Sequence, residues 1–174
     1  VNTLISTSKL KNLVYESPIQ RNAGLDVYEA PQKDHNYLIT VDVARGLGND
    51  YSAFIVFDIT NFPYKAVAKY RNNEIKPMLF PSIIDDIGKA YNKAFILCEV
   101  NDIGDQVASI LNYDLEYDNL LMCSQRGRAG QVVGAGFSGK RSQLGVRTTQ
   151  AVKKLGCSNL KTLLEDDKIL VIDC

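Results

Sequence analysis

The sequence predicts one α/β domain built on a mixed β-sheet. Three observations carry that prediction. The chain has 174 residues, the size of one ordinary domain. Between residues 37 and 70, three segments rich in β-formers follow one another through short turns, which is an antiparallel pattern. Beyond residue 78, helix-period and apolar strand-like segments alternate, as they do where strands lie parallel with helices packed against them.

The elements follow in order. Residues 1–36 are polar and irregular, with Pro18, Gly24 and Pro31, and read as a linker or packing arm ahead of a domain spanning 37–174. Residues 37–43 (YLITVDV) read as the first strand, 44–50 (ARGLGND) as a turn whose glycines permit positive φ, and 51–59 (YSAFIVFDI) as the second strand. Asn61-Phe62-Pro63 turns the chain into a third strand at 64–70. Leu79, Ile83, Ile84, Ile87 and Tyr91 recur with helical period across 78–92, and Pro81 fits the first turn. The run 94–98 (AFILC), ending at Glu99, reads as a strand buried on both faces. Residues 102–111 read as a helix and 120–123 (LLMC) as another buried strand. Residues 127–145 hold six glycines and read as a long flexible segment. Helices at 142–155 and 158–164 and a last strand at 168–172 (KILVI) complete the pattern. The order βββ-α-β-α-β, in a mixed sheet with helices on both faces, is that of ribonuclease H-like folds.

Composition narrows the function classes. Hydrophobic residues make up 45% and charged residues 23%, which excludes disorder over the whole length. No run of eighteen apolar residues exists, so no membrane helix is expected, and the N-terminus lacks the basic-then-apolar order of a signal peptide. Cys98, Cys123, Cys157 and Cys174 show no C-x-x-C spacing and His35 is the only histidine, which argues against a Cys/His zinc site. They read as reduced thiols of a cytosolic protein. The zero net charge hides a division. Residues 1–125 carry eleven basic and sixteen acidic side chains, and residues 126–174 carry nine and four. That asymmetry fits either a polyanion-facing region joined to a carboxylate-rich one, or a solvated basic helix.

Two carboxylates stand where chemistry would need them. Asp42 lies near the end of the first strand and Glu99 ends the apolar strand 94–98. Were those strands adjacent and parallel, the two acids would lie side by side and repel, so that one would be driven to protonate. A pair of divalent ions about 3.5–4 Å apart would relieve that cost and act on a phosphodiester. Oxygen-only ligands point to Mg²⁺ or Mn²⁺. Each acid alone also fits a local role, Asp42 as a cap of the glycine turn and Glu99 as the partner of a lysine at the sheet edge.

The segments VDVARGLGNDYSAFIVFDIT, CEVNDIG and VKKLGCSNLKTLLEDDKILVI resemble the nuclease domain of the large terminase subunit of tailed phages, with the T-even-like group the nearest match. The resemblance spans most of residues 38–172. It implies a metal-dependent endonuclease that cuts concatemeric double-stranded DNA with little sequence preference during genome packaging. It further implies Asp42 and Glu99 as catalytic metal ligands, with Asp50 a further acid near the site. Two ions, an upstream ATPase domain in the same polypeptide, and the portal protein and small terminase subunit as partners are implied too. The implied setting is the host cytoplasm, at the capsid portal, with no membrane. In the family a third carboxylate follows the last strand. Asp173 stands too early to be its counterpart, so within these residues the site is one ligand short.

Other motifs carry less. Residues 134–140 (GAGFSGK) nearly match a phosphate-binding loop, but Arg141 stands where the Mg²⁺-holding hydroxyl belongs. The basic residues of that stretch, Arg126, Arg128, Lys140, Arg141 and Arg147, fit DNA-backbone contacts or incidental surface charge, and Lys153 and Lys154 extend the same face or solvate a helix. Phe137 reads as a loop anchor or as a wedge against DNA, the former favoured. Asp85-Asp86 and Glu165-Asp166-Asp167 read as solvated helix ends, the second fully exposed, and His35 has no evident partner. Two rival functions remain: a non-enzymatic DNA-gripping or motor-docking module, and an actin-like or sugar-kinase-like nucleotide-binding domain.

Overall fold

The computed structural model describes residues 4–125, 130–135 and 142–172. Its sheet is built outward from the meander. Strands β3 (Tyr37–Asp42), β4 (Ser52–Asp58) and β5 (Tyr64–Asn72) pair antiparallel, and β6 (Phe95–Cys98) joins β3 in parallel. The arm contributes more than a linker. It forms a short helix α1 (Thr7–Lys11) and a hairpin of β1 (Gln20–Asn22) and β2 (Leu25–Val27), which adds to the free edge of β5. The order is β1-β2-β5-β4-β3-β6. The backbone N–H of Tyr28 donates to the Val67 carbonyl and so anchors the arm to β5.

Alternation decides which face is buried. Ile39, Val41, Phe54, Val56, Ala68, Tyr70, Ile96 and Cys98 point to one side, every second residue along their strands. Helix α2 (Phe80–Ala90) and helix α3 (Gly104–Ser109), which runs on as a π-helical turn (Ile110–Asp114), cover that side with Phe80, Ile84, Val107, Ala108 and Leu111. Phe54, Tyr70 and Phe80 stack on one another, with ring centroids 5.2–6.1 Å apart. Pro81 sits in the first turn of α2, where its missing N–H costs nothing.

The other side is more open. Phe95 is 37% exposed and Ile55 39%, so β6 is not buried on both faces as its apolar run predicted. The run is apolar because Ile96 and Cys98 enter the core, whereas Leu97 lines a shallow open surface and Phe95 is exposed.

The glycine-rich stretch holds more order than its composition implied. Strands β7 (Leu121–Ser124), β8 (Val132–Ala135) and β9 (Ser142–Leu144) form a second small sheet in the order β8-β7-β9. Residues 142–149 therefore belong to strand and loop, and the two expected C-terminal helices are one, α4 (Gln150–Glu165). It starts where Thr149 accepts a hydrogen bond from the Val152 N–H at 3.3 Å. The final strand is short, β10 (Ile169–Leu170), parallel to β5.

Two local readings are corrected. Asp85 is not at a solvated helix end: it lies inside α2, 6% exposed, bonded to Lys89 at 2.6 Å. His35 does have a partner, since its Nδ1 lies 2.6 Å from Asp58 Oδ2. Burial works against ionisation of Asp58, but hydrogen bonds from Thr60 and His35 hold its carboxyl below the usual range. Glu165, Asp166 and Asp167 are exposed, as expected, and Asp167 pairs with Lys9 of the arm. Among the described residues no helix is long and apolar enough to cross a membrane.

Candidate metal centre and nucleic-acid interface

The parallel register of β3 and β6 sets the site. Val41 lies opposite Cys98, and the Glu99 N–H donates to the Val41 carbonyl at 2.9 Å. The next residues on each strand, Asp42 and Glu99, therefore meet at adjacent strand ends on the open face of the sheet. Their carboxyls lie close enough to interact. Partial burial, the Glu99 charge and a hydrogen bond with Glu99 push the Asp42 carboxyl above its ordinary range, and Asp50 adds to the push. The Val43 N–H works the other way, favouring the ionised form.

The backbone around Glu99 is fixed from three sides. The Val146 N–H donates to the Cys98 carbonyl at 2.8 Å, and the Val100 N–H to the Val146 carbonyl at 2.9 Å, so residue 146 extends the ladder beside Glu99. The Asn101 amide bridges both backbone groups of Thr148, at 3.0 and 3.1 Å. Gly104, at the start of α3, and Gly145, at φ +85, pack so closely that a Cβ on either would overlap the carbonyl of Glu99 and of Cys98 respectively. The Cys98 thiol is sealed beneath, pushed up to about 12 by burial and by the charges of Glu99, Asp42 and Asp105.

The loop from Val43 to Tyr51 is held just as closely. Ser52 Oγ accepts from the Ala44 N–H and donates to its carbonyl, which closes the loop's neck. Gly48 is bonded by the backbone carbonyl and side-chain amide of Asn73, both at 2.9 Å. This loop and Asp102 enclose a cleft of about 560 Å³ lined by Asp42, Arg45, Asn49, Asp50 and Tyr51. Asp50 thus faces the same cleft as Asp42. Among the described residues, though, no three His, Cys, Asp or Glu side chains converge closely enough to hold a metal ion. What is present is a carboxylate pair with a third acid at the rim. That donor set is all oxygen and mutually repulsive, and it fits a hard divalent cation.

Of the expected phosphate-binding residues, Arg147 follows Val146 and so sits next to the Glu99 strand end, while Lys153 and Lys154 are exposed on the first turns of α4. Arg126, Arg128, Lys140 and Arg141 lie outside the described residues, as do Phe137 and Asp173. The sequence reading missed Arg45 and Arg71. Arg45 makes a two-pronged pair with Asp102, Nε at 2.8 Å and Nη2 at 2.6 Å, across the cleft mouth. That pairing holds the Asp102 carboxyl below its usual range. The Arg71 guanidinium lies 3.7 Å from the centroid of the Tyr51 ring. Its signal in the sequence was the alternation through 64–71, which puts Lys69 and Arg71 on the face opposite Ala68 and Tyr70.

Comparison with known proteins fits this fold. A family model described as "Terminase RNaseH-like domain" matches residues 39–173. The fold is similar to that of the large terminase nuclease from thermophilic phage G20c, solved with bound magnesium (TM-score 0.71, 20% identity, covering 100% of this chain and 76% of that one). The zinc-bound form of that nuclease matches with TM-score 0.70 and 20% identity, over 99% of this chain and 82% of that one. The Thermus phage P74-26 large terminase nuclease domain matches with TM-score 0.66 and 21% identity, over 99% and 73%.

Proposed function

The chain belongs to the terminase RNase H-like domain family, and from that premise we propose that it is a divalent-metal-dependent endonuclease that cuts double-stranded concatemeric DNA, with little sequence preference, during phage genome packaging. The observation that carries this reading is the close approach of Asp42 and Glu99 at the ends of two parallel strands. Two like charges brought together on the open face of the sheet are costly unless a cation sits between them. The large terminase nuclease from phage G20c has been solved with magnesium, cobalt and zinc, which supports a divalent site here.

In this reading Asp42 and Glu99 would hold two Mg²⁺ or Mn²⁺ ions, with Asp50 a further acid on the neighbouring loop. The bound ions supply an activated water and stabilisation of the leaving 3′ oxygen. The chain's own residues do the rest. The β3–β6 register fixes the spacing of the two carboxylates, and the bracing of Glu99 by Val146, Asn101 and Gly104 keeps it from drifting when charge changes nearby. Arg147, Lys153 and Lys154, with Arg126, Arg128, Lys140 and Arg141, hold DNA by its backbone and so read no sequence.

The larger setting follows from the same family. The domain works beside an upstream ATPase domain, with the portal protein and small terminase subunit as partners, at the capsid portal in the host cytoplasm. The VDVARGLGNDY and CEVNDIG motifs favour a source among T-even-like phages. The test is supercoiled-plasmid cleavage with Mg²⁺ or Mn²⁺. Wild type nicks and linearises the plasmid, while Asp42→Ala and Glu99→Ala remain folded and inactive. Cleavage that survives either substitution in a contaminant-free preparation overturns the assignment.

A further inference from the structure

The sheet register aligns a cation with the carboxylate pair. Asp42 on β3 lies opposite Ala53 on β4, and Ala53 lies opposite Arg71 on β5. Residues directly opposite in adjacent strands share a face. Glu99, Asp42, Ala53 and Arg71 therefore form one row across the open surface: two negative charges, a methyl group and a positive charge. Adjacent strands are about 4.8 Å apart, so the backbone of Arg71 stands about 10 Å from that of Asp42. The small side chain of Ala53 leaves the space between them clear.

Arg71 is exposed, and its guanidinium carbon lies over the ring of Tyr51, which lines the cleft holding Asp42 and Asp50. Among the described residues it forms no ion pair, unlike Arg45, which Asp102 neutralises. Its backbone is fixed as well, since the Arg71 N–H donates to the Gly24 carbonyl of the arm at 2.9 Å. A stacked guanidinium has lost most of its rotamer freedom already and keeps its fork of donors free for an anion.

We propose that Arg71, held by Tyr51, is a substrate-positioning residue: it grips a backbone phosphate of the strand being cut, a short step along from the scissile phosphate. This rests on the nuclease reading above. A cation too far away to touch the reacting phosphate, yet in line with it, sets where along the strand the metal pair acts. It also offsets the repulsion that the acidic cleft exerts on DNA.

The test uses the full chain and a short fluorescent duplex. Binding is measured in Ca²⁺ across a salt series, and cleavage in Mg²⁺. Arg71→Ala is expected to weaken binding about three- to ten-fold and to flatten the slope of log K against log salt by about 0.9, the loss of one phosphate contact. Melting should be unchanged. The cleavage defect should fall mostly in KM and shift the cut position on an end-labelled duplex. Arg71→Lys restores the salt slope but not the cut position, and Tyr51→Leu shifts the cut position with the charge intact. An Arg71→Ala protein with wild-type slope and wild-type cut sites overturns the proposal, and so does a wild type that does not bind duplex. If wild type binds with an Arg71-dependent slope yet never cleaves, the grip on phosphate stands and the nuclease reading falls.

Discussion

Four glycine-to-alanine substitutions separate the forces that hold Glu99 in place. Gly134 is exposed, and a Cβ there meets nothing within 4 Å, so Gly134→Ala should stay within about 0.5 kcal/mol of wild type. Gly48 is equally open but sits at φ +83, so Gly48→Ala pays only for a left-handed backbone, about 1 kcal/mol. Gly104 lacks a positive φ, but its Cβ would overlap the Glu99 carbonyl oxygen and lie 3.0 Å from the carbonyl carbon. Neither atom belongs to a side chain that could swing away, so this overlap costs about 2 kcal/mol. Gly145 combines both faults, φ +85 and an overlap with the Cys98 carbonyl, for about 3 kcal/mol. A chain of this size loses about 2–4 °C of Tm per kcal/mol. Calorimetry should therefore rank the variants Gly134, Gly48, Gly104, Gly145, the last melting about 6–12 °C below wild type. Only the last two displace the Glu99 strand end, so only they should lose metal-dependent cleavage at temperatures where all four are folded. If Gly48→Ala is as damaging as Gly145→Ala, or Gly104→Ala cleaves normally, close packing around Glu99 is not what positions it.

Two further outcomes follow from the charges at the site. The Asp42 carboxyl titrates above its unfolded value of about 3.9, so its cost to folding is absent below about pH 4 and grows as pH rises through the folded pKa. Asp42→Asn should therefore raise Tm in EDTA near neutral pH and leave it unchanged near pH 4. The gain is about 1 kcal/mol at most, because the group is half-exposed and screened by solvent. Loss of stability at neutral pH would mean that Asp42 is favourably paired. The Cys98 thiol, pushed up to about 12 by burial and neighbouring carboxylates, should resist thiol reagents near pH 8 in the native protein, while half-buried Cys157 reacts. Mass spectrometry of the alkylated protein reads this directly, and rapid labelling of Cys98 would contradict the packing under Glu99.

The parts legible in the sequence are those governed by local periodicity. The β-rich meander and the helix at residues 78–92 follow from periods of 2 and 3.6, and Asp42 and Glu99 stand out because each closes an apolar run. What escaped was pairing between distant segments. Nothing in QRNAGLDV announces a hairpin that extends the edge of β5, since its strands are only three residues each. The β8 and β9 pairings were hidden because glycine lowers strand propensity whether or not a partner strand is present. Arg71 was overlooked for the same reason. Its alignment with Asp42 exists only across two strand registers, and the sequence separation of the two residues does not encode those registers.

Everything the domain is proposed to do depends on Asp42 and Glu99 sharing one site. The most direct measurement is an NMR titration of the Asp42 side-chain carboxyl in wild type and in Glu99→Gln. The wild-type midpoint should lie above the ordinary value of about 3.9, fall in Glu99→Gln, and fall in wild type when Mg²⁺ is added. A midpoint that neither Glu99→Gln nor Mg²⁺ moves would contradict it.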